Sequence, residues 1–249
     1  MIIGLAGRKQ SGKTTAGKII HGVVLKKYGL IENFVIGEHG KLLVKTSNSS
    51  GTTGWGEFDI ERKDPVFSDY AEREMWPHVK MYNFSDELKR MCYELFDIPI
   101  ECLYGTDEQK NKKQPHLQWG NMPTHNVLSF VSRGTMTARE FMQYLGTEIM
   151  RNMYAPVWTN ATMKRIAREQ SEISVICDVR FPNEVKAIKD SGGYVIKLER
   201  NMHPEDNHAS ESSLDGVDKS DFSLVVENQD ITIANFSEII SNFLNEASQ

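Results

Sequence analysis

Cysteine is scarce in this chain, and so is any long apolar run. The three cysteines, Cys92, Cys102 and Cys177, are odd in number and include no C-x-x-C pair. That argues against a disulfide framework or a zinc site and points to a reducing compartment, with the thiols buried as small apolar groups. No stretch approaches the ~20 apolar residues that span a bilayer. The first residues are a short apolar run followed by glycine and charge, without the cleavage pattern of a signal peptide. Together these absences predict a cytoplasmic protein with no membrane partner. Excess positive charge is missing too: the formal net charge is −5. Polymeric nucleic acid is therefore not an expected partner, although a local basic pocket is compatible with that balance. No internal repeat and no long linker break the chain.

What is present suits a folded core. With 39% hydrophobic and 25% charged residues over 249 positions, the chain is neither disordered nor too short to bury a sizeable interior. Strand and helix patterns alternate. Met1 to Ala6 reads as a strand covered on both faces, and a helix runs from Lys13 to a stop at Gly29. Further strands are expected at Val79–Phe84, Ile173–Cys177, Tyr194–Leu198 and Phe222–Val226. Helices are expected after Ser85, as its cap, and from Thr137 to about Asn152. Others are expected over 156–169, after Pro182 as far as Gly192-Gly193, and over Ile231–Leu244. The helix after Ser85 would bury Leu88, Met91, Cys92, Leu95 and Phe96. Residues 104–124 are polar and read as a loop or short helical excursion. Residues 37–78 differ in character: strands near Lys41–Lys45 and Glu57–Glu61 flank a polar, turn-prone stretch, which predicts an inserted β-hairpin.

The first strand–helix junction carries Gly7-Arg8-Lys9-Gln10-Ser11-Gly12-Lys13-Thr14, a full match to G-x-x-x-x-G-K-[ST]. Glycine lets the backbone turn tightly and approach phosphates. Successive N–H groups then face inward, and the following helix adds its positive end. Lys13 is placed to reach the β- and γ-phosphates of ATP, and the Thr14 hydroxyl to hold Mg²⁺. By composition alone such a pattern arises in roughly one chain of this length in a hundred. The strand before it and the helix after it strengthen the match. The fold expected is α/β: a P-loop NTPase three-layer fold in one domain, a mostly parallel sheet flanked by helices, with the hairpin inserted.

A second anchor is Asp178, at the end of the Ile173–Cys177 strand, where ligands of open α/β sheets bind. It stands where an acidic residue would orient Mg²⁺, with Arg180 two residues on to stabilise a transferring phosphoryl group. A third feature is a polar stripe at i, i+4 spacing, Arg139, Gln143, Thr147 and Arg151, beside Gly146 and opposite Phe141, Met142, Leu145 and Ile149. Spacing alone leaves it open whether this is a solvated face or an anion site.

In family order, these segments resemble the deoxynucleoside monophosphate kinases of tailed bacteriophages. The resemblance rests on residues 7–15, Phe84-Ser85-Asp86-Glu87-Leu88-Lys89, Arg139-x-x-x-Gln143-x-x-Gly146-Thr147-Glu148, Trp158, Asp178-Val179-Arg180-x-x-x-Glu184 and His208-x-x-Glu211. It covers most of the chain outside residues 37–78. It implies transfer of a phosphoryl group from MgATP to a (deoxy)nucleoside 5′-monophosphate, in the cytoplasm of the host cell if the origin is a phage. Gly7, Gln10, Ser11, Gly12, Lys13, Thr14 and Thr15 would hold ATP, and Thr14 and Asp178 the metal. Lys13, Arg139, Asp178 and Arg180 would be catalytic. The acceptor would meet Lys9, Leu88, Lys89, Lys110, Arg139, Gln143, Gly146, Thr147, Trp158, Arg180 and Glu184. Trp158 either stacks on the base or fills the core. Gln10 departs from the pattern, standing where a basic residue is familiar. Residues 200–217, with Arg200, His203, His208 and Glu211, form an expected lid, and a homodimer is left open.

Rival readings remain. A dephospho-coenzyme A kinase would share the fold. A guanine-nucleotide switch is disfavoured because Asn111-Lys112-Lys113-Gln114 lacks the final Asp of N-K-x-D. A DNA-acting ATPase is disfavoured by the acidic balance.

Overall fold

The computed structural model describes residues 1–47, 50–62, 64–123, 134–200 and 213–247. His203, His208 and Glu211 of the expected lid lie outside the described residues. In chain order the elements are β1 (Ile2–Ala6), α1 (Lys13–Lys27), β2 (Asn33–Ile36), β3 (Leu42–Ser47), β4 (Thr53–Glu57), α2 (Pro65–Tyr70) and β5 (Val79–Tyr82). Then come α3 (Asp86–Phe96), α4 (Ile100–Tyr104), α5 (Asp107–Lys110), β6 (Lys113–Gln118), β7 (Thr135–Thr137), α6 (Ala138–Gln143) and α7 (Val157–Glu169). The last are β8 (Ile173–Val179), α8 (Pro182–Asp190), β9 (Tyr194–Glu199), β10 (Leu224–Glu227) and α9 (Ile233–Ala247). The chain divides into two compact units, one of Met1–Phe84 with Met163–Gln249 and one of Ser85–Thr162. No helix among the described residues is long and apolar enough to cross a membrane.

The first unit is an α/β layer structure. Its sheet runs β10-β9-β1-β8-β5, and every pair is parallel. The near-continuous apolar reading of β1 and β8 follows from burial on both faces. Ile3 and Leu5 point to the side of Ala16, Ile19 and Ile20 of α1 and Phe236 and Ile240 of α9. On the opposite side Ile188 of α8 lies over Gly4, Val179 and Val195. Ile3, Leu5, Ile19 and Ile196 are fully buried, and each such side chain contributes ~1.5–3 kcal/mol. A second sheet, β2-β3-β4, is antiparallel. It seats the Phe34 ring over Gly22 of α1 and places Leu42 and Val44 in the same core.

Several elements differ from expectation. The strands of residues 37–78 sit at 42–47 and 53–57, joined by β2, which the sequence did not announce. Residues 59–61 leave the ladder because the Asp59 carboxylate takes the Glu61 N–H and turns the chain. Ser85 makes no side-chain cap; its own backbone is already helical, with φ −82° and ψ −4°. Leu95 is 67% exposed, off the stripe that buries Leu88 and Cys92 in the second unit. Residues 104–124 hold α5, started by a capping box from Thr106 and Gln109, and β6, which pairs antiparallel with β7. Composition hid β6 because Pro115 offers no N–H; the ladder is irregular between Lys113 and Gln118.

The helix from Thr137 starts as expected, with Thr137 and Glu140 closing a capping box. It does not remain α-helical to Asn152: Tyr144–Arg151 is π-helical. Trp158 Nε1 donates to the Gly146 carbonyl at 3.0 Å, drawing an acceptor out of the helical ladder, a recognised cause of such bulges.

Candidate active site

The turn from β1 to α1 wraps around its own lysine. Lys13 is 8% exposed, and its ammonium donates to the carbonyls of Gly7 (2.7 Å) and Arg8 (2.5 Å). Burial, then the Arg180 guanidinium, push its pKa down to about 7, against the opposing pull of Asp178 and Cys177. The loop conformation needs its glycines. Gly12 caps α1 at φ 97°, and a Cβ on Gly7 would fall 2.4 Å from the Leu198 carbonyl oxygen. Gln10 also takes a left-handed φ, 61°, and is exposed, as is Thr14. Ser11 is fully buried, and its hydroxyl has no hydrogen-bond partner among the described residues. That orphaned polar atom inside a glycine-bounded loop suits an anion site, since an unmet buried hydroxyl is costly. Thr15 lies one residue further along α1, and Gly40, from the Glu38–Gly40 turn between β2 and β3, packs against its hydroxyl.

Three predicted residues cluster at the end of β8. The Asp178 carboxylate accepts the Phe84 N–H at 2.6 Å, tying that end to the end of β5. Arg180 begins the turn into α8. Glu184, 1% exposed, accepts the N–H groups of Arg180 (2.7 Å) and Phe181 (3.1 Å). Its described contacts therefore fix the start of α8 and the direction of the Arg180 backbone. Beside the loop opens a cleft of about 650 Å³. Gly7, Arg8, Arg180, the β9 end from Lys197 through Arg200, Leu214, Asp215, Glu227 and Gln229–Ile231 line it. Arg8 pairs with Asp215 at 2.5 Å and Lys197 with Glu199 at 3.2 Å. Arg200 Nε is buried with no partner among the described residues.

Lys9 lies in the β1–α1 loop of the first unit, and the second unit carries the other predicted residues. Arg139 Nη2 pairs with Asp107 Oδ1 at 2.6 Å, with side chains 28% and 48% exposed. Leu88 packs against Gly146, where a Cβ would come within 2.7 Å of Leu88 Cδ2. Trp158 is 4% exposed and holds the Gly146 carbonyl, so the indole belongs to the packing of this unit. Lys89 lies over the Tyr104 ring, 4.5 Å from its centre. Lys110 ends α5, Gln143 ends α6, and Thr147 lies in the π-helical stretch. There the i, i+4 spacing no longer returns a side chain to the same face, so Arg139 and Gln143 form one α-helical pair and Thr147 and Arg151 a separate stretch.

A family model described as deoxynucleotide monophosphate kinase matches residues 1–240. The chain belongs to the deoxynucleotide monophosphate kinase family. It is an enzyme of the nucleotide phosphotransferase class, and the match favours that class over the dephospho-coenzyme A alternative. A protein of Acanthamoeba polyphaga mimivirus, named as a deoxynucleotide monophosphate kinase, is 32% identical over 168 residues. That alignment covers 67% of this chain and 83% of the relative. A deoxynucleoside-5′-monophosphate kinase of Escherichia phage T5 is 27% identical over 88 residues, 32% of this chain and 35% of the phage protein. Within this family member, the sequence reading missed the segment after β10. Asn228, Gln229 and Asp230 fell between the expected last strand and the expected closing helix, which began at Ile231, and only their position after a sheet strand could have marked them.

Proposed function

We propose that the enzyme moves the γ-phosphoryl group of MgATP to the 5′-phosphate of a deoxynucleoside monophosphate, giving the diphosphate and ADP. The observation that carries this reading is the buried Lys13 ammonium, held on the Gly7 and Arg8 carbonyls inside the loop. In the reaction it exchanges those carbonyls for β- and γ-phosphate oxygens. Gly7, Gln10, Ser11, Gly12 and Thr15 line the polyphosphate, mainly through backbone N–H groups. Thr14 and Asp178 would hold Mg²⁺, which would supply neutralisation of phosphate charge. The cleft beside the loop takes the donor nucleoside, with Leu198, Leu214 and Ile231 supplying apolar surface and the ionic side chains a polar rim.

A new P–O bond forms from an acceptor phosphate oxygen to the γ-phosphorus as the bond to the bridging oxygen breaks, and the charge released stays on ADP. The acceptor oxygen is already anionic, so no strong general base is required; positioning and charge neutralisation do the work. Arg180 faces the transferring group, its backbone aimed by Glu184. Arg139 grips the acceptor phosphate after releasing Asp107. Lys9, Leu88, Lys89, Lys110, Gln143, Gly146 and Thr147 complete the acceptor contacts, and Trp158 supports them through Gly146.

The test is turnover of full-length protein with MgATP and, in turn, each deoxynucleoside monophosphate, its ribose counterpart and dephospho-coenzyme A. Chromatography of the products should show deoxynucleoside diphosphate. Turnover of dephospho-coenzyme A alone would overturn the proposal.

A further inference from the structure

The phosphate loop is held from an element that the roles above leave unused. Asn228 follows β10. Its Nδ2 donates to the Ser11 carbonyl at 3.0 Å, across 217 residues of sequence. Its backbone N–H donates to the Glu199 carbonyl at 2.8 Å, joining the ends of β10 and β9. The amide also sits against the residue that caps α1: a Cβ on Gly12 would fall 2.6 Å from Asn228 Nδ2. The three residues after it, Gln229, Asp230 and Ile231, line the cleft.

We infer that Asn228 is a positioning residue for the donor nucleotide. Its amide fixes the Ser11–Gly12 peptide, and it joins that peptide to the cleft wall, so that the loop and the wall move as one. It acts through the loop and touches no substrate itself. The inference rests on the donor reading of the loop and adds to it a residue outside the motif. The chemistry sets an order among variants. The Ser11 carbonyl needs a donor. Alanine removes the donor and leaves space that water can enter. Aspartate keeps the shape but turns a carboxylate oxygen toward the carbonyl oxygen and adds negative charge near a polyphosphate.

The experiment compares full-length wild type, Asn228→Ala and Asn228→Asp by calorimetric MgADP binding, steady-state KM for ATP and for the acceptor, and thermal unfolding. Asn228→Ala should raise the MgADP Kd and the ATP KM roughly three- to tenfold, the worth of one hydrogen bond. Asn228→Asp should raise both further. Acceptor KM and melting temperature should stay near wild type. Three results overturn the inference alone: both variants binding MgADP like wild type, Asp behaving as wild type while Ala fails, or both KM values rising together with a drop in melting temperature. If Asn228→Asp does not fold, Asn228→Ala carries the test. If wild type binds no MgADP and Lys13→Ala alters nothing, the donor reading falls and takes this inference with it.

Discussion

The β1–α1 loop and the helix bearing Arg139 both gather positive charge, but from different material. In the loop, main-chain groups do most of the work: carbonyls of Gly7 and Arg8 hold Lys13, the Ser11 carbonyl is held by Asn228, and α1 begins at a left-handed glycine. Around Arg139 the work is done by side chains, with the half-exposed carboxylate of Asp107 on a more buried guanidinium. A main-chain cradle is specified by residue type at fixed spacing and is rigid once folded. A side-chain site is specified by tertiary neighbours, and its ion pair must open before a ligand can enter.

Four measurements would break or sharpen this contrast. Lys13→Ala should cut turnover about 10³-fold or more, since it removes a charge aimed at the transferring group; a loss under tenfold in an ADP-release assay would deny the loop its role. Arg139→Ala should raise the acceptor KM roughly ten- to a hundredfold, as expected for a charged hydrogen bond. MgADP affinity by calorimetry should stay unchanged, and equal loss of both ligands would erase the distinction between the two sites. A third test asks whether a side-chain cluster inside the first unit is equally sensitive to its charges. Burial alone would raise the pKa of Glu169, but hydrogen bonds from Lys80 and Arg165 outweigh it and hold the carboxyl at about 2, below its ordinary 4.5. Because the folded value is the lower one, the stability it contributes is fully present above pH 4.5 and is lost as pH falls toward 2. Urea unfolding at stepped pH should show of order 2 kcal/mol disappearing across that window, and Glu169→Gln should flatten the profile there. The smallest effect belongs to Asp107→Ala. Freeing Arg139 from an exposed pair worth about 0–1 kcal/mol should lower the acceptor KM by no more than a few-fold; a rise would mean that Asp107 orients the guanidinium instead of occupying it.

The legible parts of the molecule were those set by local rules. Lys13 at the end of a G-x-x-x-x-G run, Pro182 at the start of α8 and the apolar β8 each announce themselves over a few residues. The hidden parts depend on distant partners. Lys113–Gln118 looks like a loop because only β7 makes it a strand. The π-helical turns after Gln143 coincide with an indole from α7 taking the Gly146 carbonyl, which no helical periodicity could foretell. Asn228 carries no motif, and its meaning appears only where β10 ends beside β9 and the loop. Leu95 fits a helical stripe in sequence, yet the segments that cover Leu88 and Cys92 leave it uncovered.

The turn between β2 and β3 bears directly on the phosphate loop. His39 and Gly40 both adopt left-handed backbone, φ 57° and 71°, and any side chain on Gly40 would press within 2.8 Å of the Thr15 hydroxyl. The three-stranded sheet is thus no free ornament. A longer β2–β3 turn or a bulkier residue at Gly40 would be felt one residue from Thr14, so the small sheet and the phosphate loop constrain each other's geometry.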